Sequence, residues 1–192
     1  MPAIKLMVGL ANPGQNYAKT RHNAGAWFVE TLMESMQIPL RFEAKFHGIY
    51  GNFAFQGHQC HLLIPTTFMN LSGIAVKTCL NYFKLDPENI LIAYDEIDLP
   101  VGIIRLKFDG GDGGHNGVKD VMRHLHTRQF YRLRIGVGHP GDSKAVINYV
   151  LNPPLKNERQ EIDLALQSAE QILPLLLNGE IDKAMQRLHT KP

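Results

Sequence analysis

Apolar and polar positions alternate along the chain in blocks that predict strands and helices in turn. Short apolar runs between turn residues predict buried strands, and longer stretches with apolar residues three or four apart predict helices. The predicted strands cover about 4–10, 46–55, 59–64, 90–95, 103–108 and 132–137. The predicted helices cover about 23–36, 71–83, 117–126 and 144–151, with a long C-terminal helix from 157 that Pro174 kinks or splits.

The order of these elements predicts an α/β fold. Strands separated by helices favour parallel pairing with right-handed crossovers, whereas the two strands around Gln56-Gly57-His58 predict an antiparallel hairpin. We expect a single three-layer domain over residues 1–192, a mixed, mostly parallel β-sheet with helices on both faces. Ligands of such sheets bind beyond the carboxyl ends of the strands.

The loops at those strand ends are rich in polar side chains. They carry Asn12, Tyr17, His22, Asn23, Phe68, Met69, Asn70, Asp95, His115 and Asn116. A histidine can act as a general base toward water, a carboxylate can orient it, and asparagine amides can stabilise an oxyanion. The set therefore predicts hydrolysis of an acyl bond without a covalent intermediate. Taken singly, the same residues are also typical of turns and caps, and Asn23 is expected to cap the helix that follows it.

Composition adds limits to this picture. The 192 residues carry a net charge of only +2, which excludes a protein held to nucleic acid by bulk positive charge. The charge is uneven, because residues 101–155 contain eight basic and four acidic side chains. Cys60 and Cys79 fall in apolar patterns and are expected in the core. With neither a signal-peptide pattern nor a membrane span expected, we predict a cytoplasmic protein.

Two familiar kinds of site are not favoured. Residues 136–141 match G-x-G-x-x-G after a strand, but only helical pattern remains after Pro154, so the strand that a dinucleotide site requires is missing. An oxidoreductase is therefore a weak alternative. His124 and His126 lie two residues apart on a predicted helix and point to different faces, and no metal or other cofactor is expected.

Six stretches together resemble the bacterial-type peptidyl-tRNA hydrolases, over nearly the whole chain. They are VGLANPG at 8–14, YAKTRHNAG at 17–25, PTTFMNLSG at 65–73, DEIDLP at 95–100, GGHNG at 113–117 and RLRIGVGHP at 132–140. The resemblance implies a hydrolase that cleaves the ester between a peptide and tRNA and so recycles tRNA from peptidyl-tRNA released by stalled ribosomes. It implies that His22 is the catalytic histidine, that Asp95 assists it, and that no metal is needed.

The resemblance also implies roles in substrate binding. Asn12, Asn70 and Asn116 would bind the substrate, and Asn70, with or without Asn116, would stabilise the oxyanion. The remaining implied contacts are Tyr17 with the end of the tRNA, Phe68 and Met69 along the channel, His115 with the substrate or product end, and Lys107 with Arg134 as a phosphate clamp. A mobile lid is implied over residues 139–155.

The basic segment gains a meaning from this resemblance. Its side chains could follow the acceptor stem without reading sequence. They are Arg105, Lys107, Lys119, Arg123, Arg128, Arg132 and Arg134. We expect a monomer whose partner is peptidyl-tRNA, contacted at the acceptor stem, the 3' end and the nascent peptide. The alternative is a non-catalytic RNA-binding module of the same fold.

Overall fold

The computed structural model describes residues 2–190, which form one seven-stranded sheet with helices on both faces. The strands are β1 (Leu6–Gly9), β2 (Arg41–Glu43), β3 (Gly48–Phe55), β4 (His58–Pro65), β5 (Ile90–Glu96), β6 (Ile104–Phe108) and β7 (Tyr131–Gly136). The helices are α1 (Ala24–Met36), α2 (Ser72–Phe83), α3 (Asn116–Leu125), α4 (Val146–Val150), α5 (Lys156–Glu170), α6 (Leu173–Leu177) and α7 (Ile181–His189).

The sheet is mixed and mostly parallel, as predicted. Its strand order is β2-β3-β4-β1-β5-β7-β6, and the central neighbours β4, β1, β5 and β7 pair in parallel. The strands β3 and β6 pair antiparallel with their neighbours, so they run against the other five. The predicted hairpin closes over Gln56 and Gly57, both at positive φ, as a two-residue turn between right-twisted strands requires. The short edge strand β2 was not predicted.

Successive side chains of the central strands point to opposite faces of the sheet, and they divide the core into two clusters. In β1, Leu6 and Val8 pack with α2 and α3, while Met7 packs with α1 and the C-terminal helices. In the neighbouring β5, Ile92 and Leu91 divide in the same way. Each central strand is therefore buried on both faces, which explains its continuous apolar run. The predicted three-layer arrangement is confirmed.

The C-terminal region contains three helices where one long helix was expected. Helix α5 ends at Glu170, and Pro174 lies in the first turn of α6, where its missing N–H costs no helical hydrogen bond. The predicted split at Pro174 is thereby confirmed. Among residues 2–190, no helix is long and apolar enough to cross a membrane.

Helix α1 approaches the sheet very closely at its first turn. A Cβ atom on Gly25 would lie 2.2 Å from the carbonyl oxygen of Ala93 in β5, and one on Gly9 would lie 2.3 Å from the carbonyl oxygen of Gly25. Only glycine leaves room for this contact between backbones. The loop that precedes α1 is therefore held against the carboxyl end of β5.

We predict that Gly25→Ala destabilises the protein, because the new methyl group would collide with backbone atoms that cannot rotate away. The free energy of unfolding should fall by about 1–3 kcal/mol or more. Urea denaturation measures the change. The control is Gly111→Ala, since a Cβ atom there meets no other atom within 4 Å. Equal stability of the two variants would contradict the packing argument.

Candidate active site

A cavity of about 560 Å³ lies beyond the carboxyl ends of the parallel strands, where the fold predicts a ligand. Nine of the eleven site residues singled out from the sequence line it, from loops far apart in the chain. They are Asn12, Tyr17, His22, Phe68, Met69, Asn70, Asp95, His115 and Asn116. The predicted convergence of these loops is therefore found in the structure.

Asp95 is the last residue but one of the buried strand β5 and is only 3% exposed. Its Oδ1 lies 2.9 Å from Nδ1 of His22 and 2.8 Å from Nε2 of His115, and its Oδ2 lies 3.0 Å from the same His22 nitrogen. Burial would raise the pKa of Asp95, but the two histidines outweigh it and hold that pKa well below its usual range. Asp95 is therefore an ionised acceptor that orients both rings.

His115 is oriented by a second set of hydrogen bonds. Its Nδ1 accepts the backbone N–H groups of Gly117 at 3.1 Å and Val118 at 3.3 Å, which makes His115 the N-cap of α3. A nitrogen that accepts these groups carries no proton, so the ring proton lies on Nε2 and is donated to Asp95. Both ring nitrogens of His115 are thus occupied within the protein.

His22 faces the cavity from the turn that precedes α1. Because its Nδ1 donates to ionised Asp95, its Nε2 is left unprotonated and available toward the cavity. Burial lowers the pKa of His22, but the charge of Asp95 and the hydrogen bond to it prevail, so the pKa lies above its ordinary value of 6.5. The arrangement suits a general base that accepts a proton from water.

Asn12 is held in place by backbone hydrogen bonds. Its Oδ1 accepts the N–H of Met69 at 2.8 Å, which leaves its Nδ2 as the donating end. The side chain of Asn23 bonds both the N–H and the carbonyl oxygen of Asn12, at 2.9 and 3.0 Å. Asn23 therefore makes no cap hydrogen bond to α1, contrary to the expectation from sequence, because its amide is used to shape the Asn12 loop.

The other two asparagines lie at the starts of helices. Asn70 precedes α2, Asn116 is the first residue of α3, and both are exposed at the cavity. Phe68 is 55% exposed and meets Tyr17 edge to face, with ring centroids 6.5 Å apart. Amide donors and aromatic surface thus share one rim.

One wall of the cavity was missed as a site from the sequence. It is apolar and comes from helix α4 and the residue after it. Its residues are Val146, Ile147, Val150 and Leu151. The signal was an apolar face on a short helix whose second residue, Ile147, is exposed, which has no explanation as core packing.

Lys107 and Arg134 line a neighbouring cavity of about 240 Å³. Nε of Arg134 donates to Oε2 of Glu96 at 2.9 Å, and Glu96 is buried. Tyr94, Glu96 and Gly113 line both cavities, so the two share a wall. A second cavity, lined by three basic and three acidic side chains, therefore adjoins the cavity that holds His22.

The expectation that Arg132 follows a nucleic acid at the surface is wrong. Arg132 is 1% exposed, and its guanidinium donates to the carbonyl oxygens of Arg128, Phe130 and Gly110. Its charge is used to bind the loop that leads into β7. The other basic side chains that were expected to follow the acceptor stem, Arg105 among them, are at least partly exposed.

Neither cysteine offers a nucleophile. Cys60 and Cys79 are buried, as predicted, and burial raises the pKa of each thiol to about 12. The G-x-G-x-x-G run follows β7, and only helices follow it within residues 2–190, so no βαβ unit is formed there.

The ring nitrogens and carboxylate oxygens of His22, Asp95 and His115 lie within 4.8 Å of one another, a spacing that could hold a metal ion. These atoms already bond to one another, and the second nitrogen of His115 is bound to the backbone of α3. An ion at this place would have to replace those hydrogen bonds.

A histidine with a buried carboxylate behind it, facing a cavity with amide donors, is the machinery of a hydrolase that needs no protein nucleophile. Comparison with known proteins identifies the family to which this hydrolase belongs. The family model described as peptidyl-tRNA hydrolase matches residues 6–192. This chain belongs to the peptidyl-tRNA hydrolase family.

The relatives cover almost the entire chain. Peptidyl-tRNA hydrolase of Nitrosospira multiformis is 50% identical over 188 residues, which are 98% of this chain and 98% of that protein. The crystal structure of peptidyl-tRNA hydrolase from Acinetobacter baumannii is 46% identical and superposes with a TM-score of 0.94, over 97% of this chain and 95% of that one. The family and the enzyme class expected from the six motifs are confirmed, and the comparisons give no support to a non-catalytic module.

We predict that Asp95→Asn lowers kcat by roughly 10²–10⁴-fold, because an asparagine amide can present an N–H to Nδ1 and so favour the wrong tautomer of His22. The acid limb of the kcat/KM profile should lie above pH 6.5 in the wild type, since the base must lose its proton and its pKa is raised.

Removing the charge of Asp95 should move that acid limb to lower pH. The measurement is kcat/KM from pH 5 to 9, with Asp163→Asn as a control carboxylate that is exposed on helix α5. An unchanged acid limb in Asp95→Asn would show that Asp95 does not set the pKa of the base.

Proposed function

We propose that this protein hydrolyses the ester between the peptide and the terminal ribose of peptidyl-tRNA, with His22 as the general base. The observation that carries the proposal is the hydrogen bond between His22 and buried Asp95 at a cavity in a chain of this family. Nε2 of His22 takes a proton from water while the water oxygen attacks the ester carbonyl carbon. The C–O bond to the ribose then breaks, and the protonated His22 returns the proton to the ribose oxygen.

The asparagines would hold the acyl group through this step. We assign the oxyanion to the amide of Asn70, assisted by Asn116, because both lie exposed at the cavity. We assign the peptide backbone to Asn12, whose donating end is fixed when Met69 N–H binds its oxygen. Preorganised donors of this kind can each contribute roughly 2.7–4 kcal/mol to the transition state.

His115 enters the proposal as a positioning residue that acts through Asp95, in place of the contact with the substrate or product end that the resemblance implied. Its two nitrogens connect α3 to the carboxylate and leave no ring donor for the substrate. Tyr17, Phe68 and Met69 would line the path of the substrate end, with Phe68 offering an exposed ring for stacking.

Lys107 and Arg134 of the neighbouring cavity would bind a phosphate of the tRNA. Lys107 is exposed, and Arg134 is held by Glu96 through its Nε while it lines the cavity. Contacts with phosphates position a nucleic acid without reading its sequence, which suits an enzyme that accepts many tRNAs. We further propose that the enzyme acts in the cytoplasm as a single-domain monomer without a metal.

We predict that His22→Ala lowers kcat by roughly 10²–10⁴-fold without loss of folding, because only the base is removed. The assay compares release of the acyl group from N-acetylated aminoacyl-tRNA with release from free aminoacyl-tRNA. The wild type should release only the N-acetylated group. His58→Ala, at an exposed histidine in β4, is the control. Wild-type turnover by His22→Ala would exclude His22 as the base, and release from neither substrate would favour a binding module.

We predict that Lys107→Ala and Arg134→Gln weaken tRNA binding and each reduce the salt dependence of binding by about one phosphate contact. The glutamine keeps a donor, so the buried carboxylate of Glu96 still has a hydrogen-bond partner. Affinity is measured with uncharged tRNA at several salt concentrations. The control is Lys183→Ala, on helix α7. An unchanged affinity at low salt in both variants would contradict the clamp.

A further inference from the structure

Arg21 is the residue before His22, and it is 6% exposed although no role in the reaction has been given to it. Its side chain turns away from the cavity toward residues 149–158, more than a hundred positions later in the sequence. A buried arginine is costly unless its donors are satisfied. The contacts of this guanidinium therefore indicate which part of the structure it stabilises.

Three carbonyl groups converge on one nitrogen of Arg21. Its Nη1 lies 3.2 Å from the oxygens of Tyr149 and Asn152 and 3.0 Å from that of Pro153. Its Nη2 lies 2.9 Å from Oε2 of Glu158, and its backbone N–H donates to the oxygen of Asn152 at 3.1 Å. The planar guanidinium thus gathers the chain that leaves α4.

The ring of Tyr149 extends this contact to the sheet. The Arg21 guanidinium carbon lies 3.9 Å from the centroid of that ring, and the Tyr149 hydroxyl donates to the carbonyl oxygen of Val137 at 2.7 Å, just after β7. At the other end, Glu158 also accepts the N–H of Leu155 at the start of α5. A continuous line of contacts therefore runs from α5 through Arg21 to the end of β7.

The segment held in this way carries the apolar wall of the substrate cavity. Val146, Ile147, Val150 and Leu151 line the cavity, and the carbonyls bound by Arg21 begin at the end of the same helix. A positive side chain at the C-terminal end of a helix also meets the partial negative charge of its last carbonyls. The position of this wall therefore depends on Arg21.

The position of His22 does not depend on the Arg21 side chain. The ring of His22 is oriented by Asp95, and the next residue, Asn23, is bound to the Asn12 loop. Loss of the guanidinium should therefore release the wall and leave the base in place. This separates an effect on substrate binding from an effect on chemistry.

We propose that Arg21 is a positioning residue that fixes the α4 wall of the cavity to the turn carrying His22, so that the acyl group of the substrate meets a preformed surface. The inference rests on the proposed function for its substrate. It also divides the segment 139–155, because any opening motion would be confined to the part before helix α4.

The test is Arg21→Lys, which keeps the positive charge but cannot serve three carbonyls and Glu158 from one ammonium group. With N-acetylated aminoacyl-tRNA, kcat should stay within about twofold, and KM should rise about tenfold because the competent wall is populated only part of the time. Hydrogen exchange at the backbone amides of residues 149–152 should become faster.

The matched control is Arg159→Lys. Arg159 also lies over an aromatic ring, with its guanidinium carbon 3.7 Å from the Trp27 centroid, and it also pairs with a carboxylate, Asp163. Its side chain binds α1 and α5 and not the wall. We expect no change in KM or in the exchange of residues 149–152.

A second variant approaches the contact from its other end. Tyr149→Phe removes the hydroxyl bond to Val137 and keeps the ring beside Arg21, so KM should again rise while kcat is retained. If Arg21→Lys fails to fold, this variant alone decides. A fall in kcat with KM unchanged, equal effects of Arg159→Lys, or unchanged exchange and KM would each overturn the proposal. An inactive wild type would refute the proposed function, whereas the exchange measurement would still test the contact.

Discussion

The structure of the site depends on one buried carboxylate. Asp95 accepts hydrogen bonds from His22 and His115, and through these rings it joins the strand β5, the turn before α1 and the start of α3. An ionised carboxylate at 3% exposure needs hydrogen-bond donors such as these, because an unpaired buried charge costs several kcal/mol. The same charge that stabilises this junction raises the pKa of His22, the proposed base. Stability and reactivity therefore share one set of atoms.

The sheet explains how these elements can meet. The parallel strand β1 ends at Gly9 opposite Ala93 of β5, and the close backbone contact of Gly25 with Ala93 sets α1 against this part of the sheet. His22, three residues before this glycine, is thereby brought to Asp95, two residues after the alanine. Two residues that are far apart in the sequence are thus brought into contact by one strand pairing and one close glycine contact.

Much of this arrangement could be predicted from the sequence, for physical reasons that also define what was missed. Buried strands have long apolar runs, and loops at one edge of a parallel sheet must converge, so nine residues that line the cavity could be singled out from the sequence. Contacts between distant segments left no such pattern. The bond between Arg21 and Glu158, the burial of Arg132 and the two occupied nitrogens of His115 depend on which loops pack together. Short α4 carried an exposed apolar face, but only packing shows that this face lines the cavity.

The two cysteines have a consequence for how the protein withstands chemical damage. Cys60 and Cys79 are buried, and each holds its proton far above neutral pH. Alkylating agents and peroxides react with thiolates, so both of these protonated, buried sulfurs should react slowly. The nucleophile in the proposed reaction is a water molecule, which the solvent replaces after every turnover. An oxidising burst that inactivates thiol-dependent hydrolases would therefore find no equivalent sulfur to consume in this one.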